Sequence, residues 1–524
     1  MTRYLLLVVL MVAPMVAVDA QFDAGIEADV ILKGAVIHDG SGKPGVVGDV
    51  AIKGDRIVAV GKFVVKGNPR VLDCTGLVLA PGFIDLHTHS DYPLQNAKTN
   101  ANFNYQTQGV TTVVTGNCGA GPVDVAKYFA ALEKIGIGTN VIHQVPHNDV
   151  RRAAMGNVNR APTEKELRRM EELVDQGMKD GAFGFATGLI YNPGTYSKTD
   201  ELVALAKVAA KHKGFYASHI RNENTEVLAA IEEILEIARR CGIRVHISHI
   251  KVSGRNAWGK APDVIALIRK ARKDGIDVTA DQYPYTASST SLSATLIPAR
   301  FREGSTEDMI KRLDDPDIGA KMKKAIDASL KGHLNGKSIK IAGYAKNTSW
   351  QGKDLFTIAE QEKKSPLAVA LDITRNGGAQ IVNFGMQDDD IRLFMMEPYV
   401  ATASDGASML PSDKVPHPRS YGTFSRKIGR YASEDKVITL EQAIRSASGL
   451  PADILQVPQR GYIKAGHYAD IVVFDPKSFR DKATYERPHQ HSTGLKYLYV
   501  NGRLAIEDGN ATNVLAGRVL RHGR

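Results

Sequence analysis

Eight short apolar segments, separated by stretches of helical periodicity, constrain the fold of this chain more than any other feature. They are centred on GFIDLHTH, GVTTVVTGNCG, TNVIHQVPH, GAFGFATGL, GFYASHIRN, IRVHISHIK, DVTADQYPY and YVATASDG. Between them lie amphipathic stretches such as NTEVLAAIEEILEIARRCG, with Leu and Ala at helical spacing. Strands that alternate with helices build a parallel sheet, and eight such units close into a barrel. The sequence therefore predicts an α/β protein with a TIM-like (β/α)8 barrel.

Both ends of the chain depart from this pattern. Residues 21–80 and 461–524 contain short apolar runs broken by Gly turns, which predicts one small β-sandwich built from both chain ends. The barrel then occupies residues 81–460. Within it, the interval from Arg300 to Glu397 is too long for a single crossover helix, so we expect a small insert domain at about 300–397.

The first twenty residues predict a signal peptide. Arg3 is followed by a nearly apolar segment from Tyr4 to Val18, and VDA ends at Ala20 in small residues that suit cleavage. As a helix this segment would span about 22 Å, short of a hydrocarbon core of about 30 Å. We therefore expect a periplasmic or secreted protein without a stable membrane span after cleavage. An uncleaved N-terminal anchor is the alternative.

The charge distribution and the cysteine content limit the possible partners and the possible disulfides. The 67 basic and 57 acidic residues give a net charge of +10, but they are mixed along the sequence without an arginine-rich aromatic platform. We therefore expect no nucleic-acid partner, and nothing in the sequence indicates the oligomeric state. Of the three cysteines, at least one must remain unpaired within the chain. Cys74 and Cys241 have no polar motif around them and are assigned to packing.

Residues that bind metals or transfer protons follow most of the predicted strands. In a (β/α)8 barrel these positions converge at the C-terminal mouth, where catalytic residues gather. His87 and His89 are two residues apart, so on a strand they would face the same side and bind one ion together. A lone buried His is usually a hydrogen-bonded structural residue, but a pair at this place favours a metal site. The full set is His87, His89, Cys118, His147, His219, His249 and Asp405.

The other members of this set each have a structural alternative. Cys118, in TGNCGAG, would by itself be an inert buried thiol, but beside histidines it is better explained as a zinc ligand. His219 and His249 are thirty residues apart, the length of one βα unit, so neighbouring strands would bring them together. Asp405 precedes a Gly and would suit a turn or a helix cap. Beside a metal, its carboxylate can instead move a proton from water to a leaving group.

The motifs PGFIDLHTHSD, GNCGAG, SHIRNE, ISHIK and SDGA, in this order, resemble the N-acyl-D-amino-acid deacylase (D-aminoacylase) family of the amidohydrolase superfamily. The resemblance covers nearly the whole mature chain and implies zinc-dependent hydrolysis of the linear amide of N-acyl-D-amino acids. It implies that His87, His89 and Asp405 hold one metal position and Cys118, His219 and His249 the other. The second position is the tighter one, so one or two zinc ions are allowed, and Asp405 is the proton shuttle.

The same resemblance implies a substrate-binding set. Lys251, Tyr283 and Ser289 match residues that the family uses around the substrate carboxylate. His147 and Arg151 match a His and an Arg of the family, although HND departs from its more usual HGT and leaves the role of His147 open.

Three alternative functions compete with this one. Cyclic-amide hydrolases of the superfamily bridge two metals with a carboxylated lysine on the fourth strand, and GAFGFATGLIY contains no lysine. A dipeptidase acting on a D-residue remains open. A metal-binding homologue without catalysis is disfavoured by the complete ligand set. Preference for acidic substrates also stays open, because Arg255, Arg300 and Arg302 lie near the predicted site strands.

Overall fold

A computed structural model describes residues 25–523 of the chain. The predicted signal peptide and its cleavage site lie outside these residues. Among the helices of the described part, none combines the length and the apolar character that crossing a membrane requires.

Eight parallel strands form the centre of the molecule, and each pairs with the next in chain order. The first strand, Phe83–Asp85, and the last, Val400–Thr402, are joined beyond their ends, where Thr88 bridges Gly406 and the His89 amide donates to the Gly406 carbonyl at 2.7 Å. The predicted barrel is therefore confirmed. The strands are β1 Phe83–Asp85, β2 Val110–Thr115, β3 Asn140–Pro146, β4 Gly184–Gly188, β5 Phe215–His219, β6 Arg244–Ile247, β7 Val278–Gln282 and β8 Val400–Thr402.

Amphipathic helices cover the outside of the barrel. Helix Val227–Cys241 buries Ile231 and Leu235 against the strands, and Gly242 ends it in a left-handed conformation with φ 64°. Helix Glu164–Lys179 begins with a capping box between Thr163 and Glu166. The other helices of this layer are Phe103–Gln106, Val125–Ile135, His147–Met155, Thr199–Lys211, Ala261–Lys273, Asp388–Met395, Arg419–Arg426, Leu440–Ala447 and Gly449–Leu455.

A separate small unit is inserted between β7 and β8. Its antiparallel sheet has three strands in the order Ser288–Ser291, Gln380–Asn383 and Ile339–Gly343. Its helices pack around an apolar core that includes Leu313, Met322 and Ile381. The first strand of this sheet precedes Arg300, the predicted start of the insert. The helices are Leu292–Leu296, Thr306–Asp314, Pro316–Gly332, Leu355–Glu362 and Pro366–Arg375.

Strands from both ends of the described chain combine in one nine-stranded sheet. The link between the two ends is the antiparallel pair of Val78–Pro81 with Ile471–Phe474. Cys74 lies in the apolar core of this sheet, which agrees with its assignment to packing. The remaining strands of the sheet are Val30–Ile37, Val46–Lys53, Arg56–Gly61, Arg70–Asp73, Leu495–Val500, Arg503–Glu507 and Asn510–Ala511. A separate short pair joins Ile26–Glu27 to Val65–Lys66.

Lys427 is an unusual feature of the layer around the barrel. It begins the π-helical segment Lys427–Glu434, its side chain is buried, and its ammonium nitrogen has no hydrogen-bond partner among the described residues. Burial lowers the pKa of Lys427 from 10.5 to about 7. Between these two values the unfolded chain binds more protons than the folded one, so the free energy of unfolding rises with pH in that window.

Lys427→Met is therefore expected to stabilise the protein at pH 7 by roughly 2–4 kcal/mol, because the variant buries no amine. The gain should shrink toward pH 10, where the unfolded lysine also loses its charge. Urea denaturation at both pH values measures this, with Lys346→Met as the exposed control. Equal stability of wild type and Lys427→Met at pH 7 would contradict the prediction.

Candidate metal centre

Cys118 lies at the centre of a cluster of polar side chains at the C-terminal mouth of the barrel. Its sulfur is 3.3 Å from His87 Nε2, 3.5 Å from His219 Nδ1 and 3.5 Å from His249 Nε2. His219 ends β5, His87 and His249 each follow their strands β1 and β6 by two residues, and Cys118 lies in the turn after β2. The convergence predicted from the strand ends is thus present in the structure.

Asp405 extends the same cluster after β8. Its Oδ1 is 3.0 Å from His89 Nε2 and 3.6 Å from His87 Nε2. Its Oδ2 accepts a hydrogen bond from Arg419 at 2.6 Å. Ligand atoms of His87, Cys118, His249 and Asp405 all lie within 4.8 Å of one another, close enough to share a metal ion. His87 links the Cys118 side of the cluster to the Asp405 side.

The positions of His87 and His89 differ from the sequence prediction in one respect. Strand β1 ends at Asp85, so both histidines lie in the segment after the strand and not on it. The buried Asp85 carboxylate accepts hydrogen bonds from the amides of His87 and Ser404 at 3.0 Å each. Asp85 therefore links the backbone of the segment after β1, which carries His87 and His89, to the backbone of the loop after β8, which carries Asp405.

The backbone at three ligand positions adopts left-handed conformations, with φ of 53° at Cys118, 36° at His249 and 52° at Asp405. Such conformations are costly for non-glycine residues, and they concentrate at functional sites where the surrounding structure imposes them. The turn before Cys118 also depends on Gly116, where a Cβ would overlap the carbonyl oxygen of Gln144. The fold therefore positions these side chains before any ligand binds.

Two carboxylates that the sequence analysis missed contact the outer nitrogens of the clustered histidines. Asp281, in β7, lies 3.6 Å from His87 Nδ1. Glu223 lies 3.2 Å from His249 Nδ1 and 3.6 Å from His219 Nε2. A carboxylate behind a metal-binding histidine fixes the orientation of the ring and strengthens the nitrogen that faces the metal. In the sequence these two residues are the Asp of TADQ, Asp281, and the Glu of SHIRNE, Glu223.

The protonation states of the cluster suit a cation. Burial lowers the pKa of His87 to about 4 and that of His219 well below its ordinary value, so both rings are neutral at pH 7. Burial opposes the charge of Asp405, but Arg419 and the nearby histidines hold its pKa well below the usual range. Burial raises the pKa of the Cys118 thiol, and a bound cation supplies the charge that a thiolate requires. Mixed sulfur, nitrogen and oxygen donors are typical of zinc.

The three residues predicted around the substrate carboxylate lie near this cluster. Lys251 Nζ donates to Glu223 at 2.6 Å and to the His249 carbonyl at 2.9 Å. Tyr283 is buried, and its hydroxyl has no hydrogen-bond partner within the described residues. The Tyr283 ring lies 5.7 Å from the Lys251 ammonium and 4.9 Å from the Arg419 guanidinium. Ser289 lines the cavity above the cluster.

His147 and Arg151 are not among the residues that line the cavity above the cluster, and their contact with substrate stays a prediction. Both side chains are fully buried and turn toward Glu201, at 3.0 Å from His147 Nε2 and 3.1 Å from Arg151 Nε. The physical reason is that β3 runs through Pro146, so His147 is already the first residue of the next helix. Their interaction with Glu201 ties this helix to helix Thr199–Lys211.

A cavity of about 600 Å³ opens above the cluster and is large enough for a small-molecule ligand. Strands of the insert form one wall through Ser289, Gly343 and Gln380. Arg255, Arg300 and Arg302 are not among the lining residues. The lining consists of His89, Cys118, Ala120, Asn148, Asp149, Arg152, Tyr191, Asn192, Ser289, Thr290, Ser291, Ala342, Gly343, Gln380, Asp405, Gly406, Ala407, Met409, Lys414, Pro416, His417, Arg419 and Ser420.

A (β/α)8 barrel with a His, Cys and Asp cluster beneath a cavity at its C-terminal mouth defines the class of metal-dependent barrel enzymes. The model of the amidohydrolase family matches residues 70–506. The chain belongs to the amidohydrolase family.

Individual relatives agree with this assignment and with the resemblance seen in the motifs. A D-aminoacylase of Alcaligenes xylosoxydans xylosoxydans is 33% identical over 94% of this chain and 97% of its own length. An N-acyl-D-glutamate deacylase of the same organism is 34% identical over 94% of this chain and 96% of its own length. The N-acyl-D-glutamate deacylase of Bordetella bronchiseptica, solved with zinc and a phosphonate inhibitor, superposes with a TM-score of 0.80. It is 32% identical, and the match covers 95% of this chain and 100% of that one.

Proposed function

We propose that this chain is a zinc-dependent deacylase that hydrolyses the amide bond of N-acyl-D-amino acids to a carboxylate and a free D-amino acid. The observation that carries this proposal is the position of Asp405, which lines the cavity and also touches the metal-binding cluster. The names of the relatives support D-amino-acid derivatives as the substrate class. A carboxylate in this place can serve as general base and general acid in amide hydrolysis.

The cluster provides donors for one or two zinc ions. Cys118, His219 and His249 would hold the first, and His87, His89 and Asp405 would hold a second more weakly. When bound, zinc polarises the amide carbonyl and lowers the pKa of water at the site to about 7.

The chain itself supplies the proton transfer. Asp405 takes the proton from the attacking water and passes it to the departing nitrogen of the amino acid. Arg419 fixes the carboxylate through its hydrogen bond to Oδ2, while Oδ1 lies 3.0 Å from His89 Nε2. The same guanidinium keeps Asp405 ionised, and therefore able to accept a proton, at neutral pH.

Tyr283, Lys251 and Ser289 would bind the carboxylate of the substrate. The Tyr283 hydroxyl is buried and has no hydrogen-bond partner among residues 25–523, and such groups are rare unless a ligand or water completes them. The Lys251 ammonium and the Arg419 guanidinium lie beside the Tyr283 ring, although each is paired with a carboxylate, Glu223 and Asp405 respectively. A free carboxylate next to the scissile amide would therefore bind here.

A substrate panel tests the proposal directly. Purified zinc-loaded protein is expected to release amino acid from N-acetyl-D-leucine or another N-acetyl-D-amino acid, and not from the L-enantiomers. The panel includes a dipeptide with a D-residue and a cyclic amide, which represent the alternative substrates. If the protein hydrolyses only one of these alternatives, or only L-substrates, the proposed function is wrong.

Metal removal is expected to abolish this activity. Dialysis against 1,10-phenanthroline should lower the rate by at least about 10³-fold, because metal polarisation supplies several kcal/mol of transition-state stabilisation. Addition of one to two equivalents of Zn²⁺ should restore the rate. Circular dichroism of the dialysed protein serves as the control for unfolding. Full activity of verified zinc-free protein would contradict zinc dependence.

Tyr283→Phe is expected to lower kcat/KM for N-acyl-D-amino acids by about 10- to 100-fold. The variant loses one hydrogen bond to a charged carboxylate, a contribution of about 1.5–3 kcal/mol. The matched control is Tyr285→Phe, only two residues away, which removes another buried hydroxyl that lacks a hydrogen-bond partner in the described part of the chain. An equal effect of both substitutions would remove Tyr283 from substrate binding.

We also propose that the protein is exported to the periplasm or secreted. The support is the basic and apolar N-terminal sequence before Ala20. Mass spectrometry of the N-terminus in cell fractions tests this, and an intact N-terminus in the cytoplasmic fraction would contradict it.

A further inference from the structure

The carboxylate of Glu223 lies where the loops after β5 and β6 meet, directly behind the metal cluster. Its Oε1 is 2.6 Å from Lys251 Nζ, 3.2 Å from His249 Nδ1 and 3.6 Å from His219 Nε2. The side chain is 13% exposed. One carboxylate thus contacts two predicted metal ligands and a third residue at the same time.

The contacts use the outer nitrogen of each histidine. His219 presents Nδ1 to Cys118 and Nε2 to Glu223, whereas His249 presents Nε2 to Cys118 and Nδ1 to Glu223. The hydrogen bond at one ring nitrogen decides the tautomer and leaves the other nitrogen free to bind a metal. Lys251 Nζ also lies 2.8 Å from His249 Nδ1, but an ammonium cannot accept a hydrogen bond, so a hydrogen on that nitrogen can be accepted by Glu223. His219 Nε2 is buried without a hydrogen-bond partner among the described residues, and it lies 3.6 Å from the same carboxylate. Glu223 can therefore favour, in both rings, the form that leaves the nitrogen facing Cys118 free.

Neighbouring groups hold Glu223 itself in place. Its carbonyl oxygen accepts a hydrogen bond from the Ser253 amide at 2.7 Å, which joins the loop after β5 to the loop after β6. Lys251 donates to the Glu223 carboxylate and also to the His249 carbonyl at 2.9 Å. Lys251 is therefore a fixed counter-charge for Glu223, and it keeps the carboxylate beside the two rings.

The other half of the cluster uses a different carboxylate. His87 faces Asp281 at 3.6 Å, and Asp281 also binds His246 Nε2 at 2.8 Å and the His249 amide at 2.6 Å. Of the two, only Glu223 touches the outer nitrogens of both His219 and His249. Its influence should consequently fall on the metal position beside Cys118.

We propose that Glu223 is a positioning residue that orients His219 and His249 together and thereby sets the zinc affinity of the position beside Cys118. This inference rests on the proposed function only for the identity of the metal. It explains why a glutamate follows His219 by four residues, and it gives Lys251 a structural task in addition to the predicted substrate contact.

The test is a zinc titration of zinc-free Glu223→Gln in competition with a chromophoric chelator. The substitution keeps the size of the side chain but replaces one acceptor oxygen by a donor and removes the charge. We expect the Kd for the first equivalent of Zn²⁺ to rise about 10- to 100-fold. The matched control, Glu226→Gln, changes an exposed glutamate three residues away and should keep the wild-type Kd. A Kd of Glu223→Gln within twofold of wild type would overturn the inference.

Two further readouts distinguish a positioning role of Glu223 from general damage to the metal site. Cobalt-loaded Glu223→Gln should retain the sulfur-to-cobalt absorption band of the wild type, since Cys118 still binds, but should need more Co²⁺ to saturate it. At saturating Zn²⁺ its kcat should recover to within about tenfold of wild type, because the lost interaction acts on binding of the metal. Loss of the band, or a kcat that stays low at saturation, would contradict a role limited to positioning.

A second variant covers the case in which Glu223→Gln does not fold. Glu223→Asp keeps the charge and draws the carboxylate back by one methylene, and its Kd should lie between those of wild type and Glu223→Gln. A wild-type Kd for a folded Glu223→Asp would also count against the inference. Zinc binding is measured without substrate, so inactivity of the wild type toward N-acyl-D-amino acids would refute the proposed function and leave this result intact.

Discussion

Asp405→Asn is expected to lower kcat/KM for N-acyl-D-amino acids by about 10²- to 10⁴-fold, the range for loss of a general acid and base. The amide keeps the shape of the side chain but cannot take a proton from water. Asp405 contacts Arg419 through one oxygen and His89 through the other, and it lines the cavity while belonging to the metal-binding cluster. Steady-state kinetics on purified enzyme gives the measurement.

Zinc content must be measured alongside, because Asp405 is also a candidate ligand. The variant should retain the zinc held by Cys118, His219 and His249, and Asp413→Asn, an exposed change eight residues away, should leave the rate unchanged. A variant with full zinc content and a rate within a few-fold of wild type would show that another group transfers the proton.

Cys118→Ala should have the second large effect, on both zinc content and rate. The sulfur lies within 3.5 Å of a ring nitrogen of His87, His219 and His249, so its removal takes a candidate ligand from the centre of the cluster. We expect loss of stoichiometric zinc after dialysis and a rate at least about 10³-fold lower, because the metal contribution of several kcal/mol is lost. Metal analysis by mass spectrometry and kinetics on the same sample test this.

The control for this variant is Cys241→Ala. Cys241 is partly buried at the end of its helix, with its sulfur 3.5 Å from the Val203 carbonyl and away from the cluster. Its substitution should keep both zinc and activity. If Cys118→Ala binds zinc with wild-type affinity, the sulfur is not a ligand and the assignment of the tighter metal position is wrong.

The sequence predicted the barrel and the convergence of its ligands for one physical reason. Closure of eight parallel strands brings their C-terminal ends to one mouth, so strand-end residues far apart in sequence meet there. Cys118, His219, His249 and Asp405 follow this rule in the structure. Their individual roles in catalysis remain predictions.

Sequence could not predict the contacts that depend on side-chain direction. His147 follows its strand as predicted, but it starts a helix and its ring points outward to Glu201. Glu223 and Asp281 were missed because their contacts depend on which nitrogen each histidine turns toward Cys118. Arg419 was missed because it lies fourteen residues after Asp405, on a helix whose approach to the cluster depends on the path of the loop between them.

The insert between β7 and β8 has an apolar core of its own, yet it contributes a wall to the cavity. Evolution can therefore remodel that wall without disturbing the packing of the barrel or the geometry of the zinc ligands. In such an architecture, selectivity for the acyl group and for the amino-acid side chain can change while the catalytic residues stay the same. Exchange of the insert between homologous enzymes would be a rational way to transfer substrate preference while the catalytic machinery stays intact.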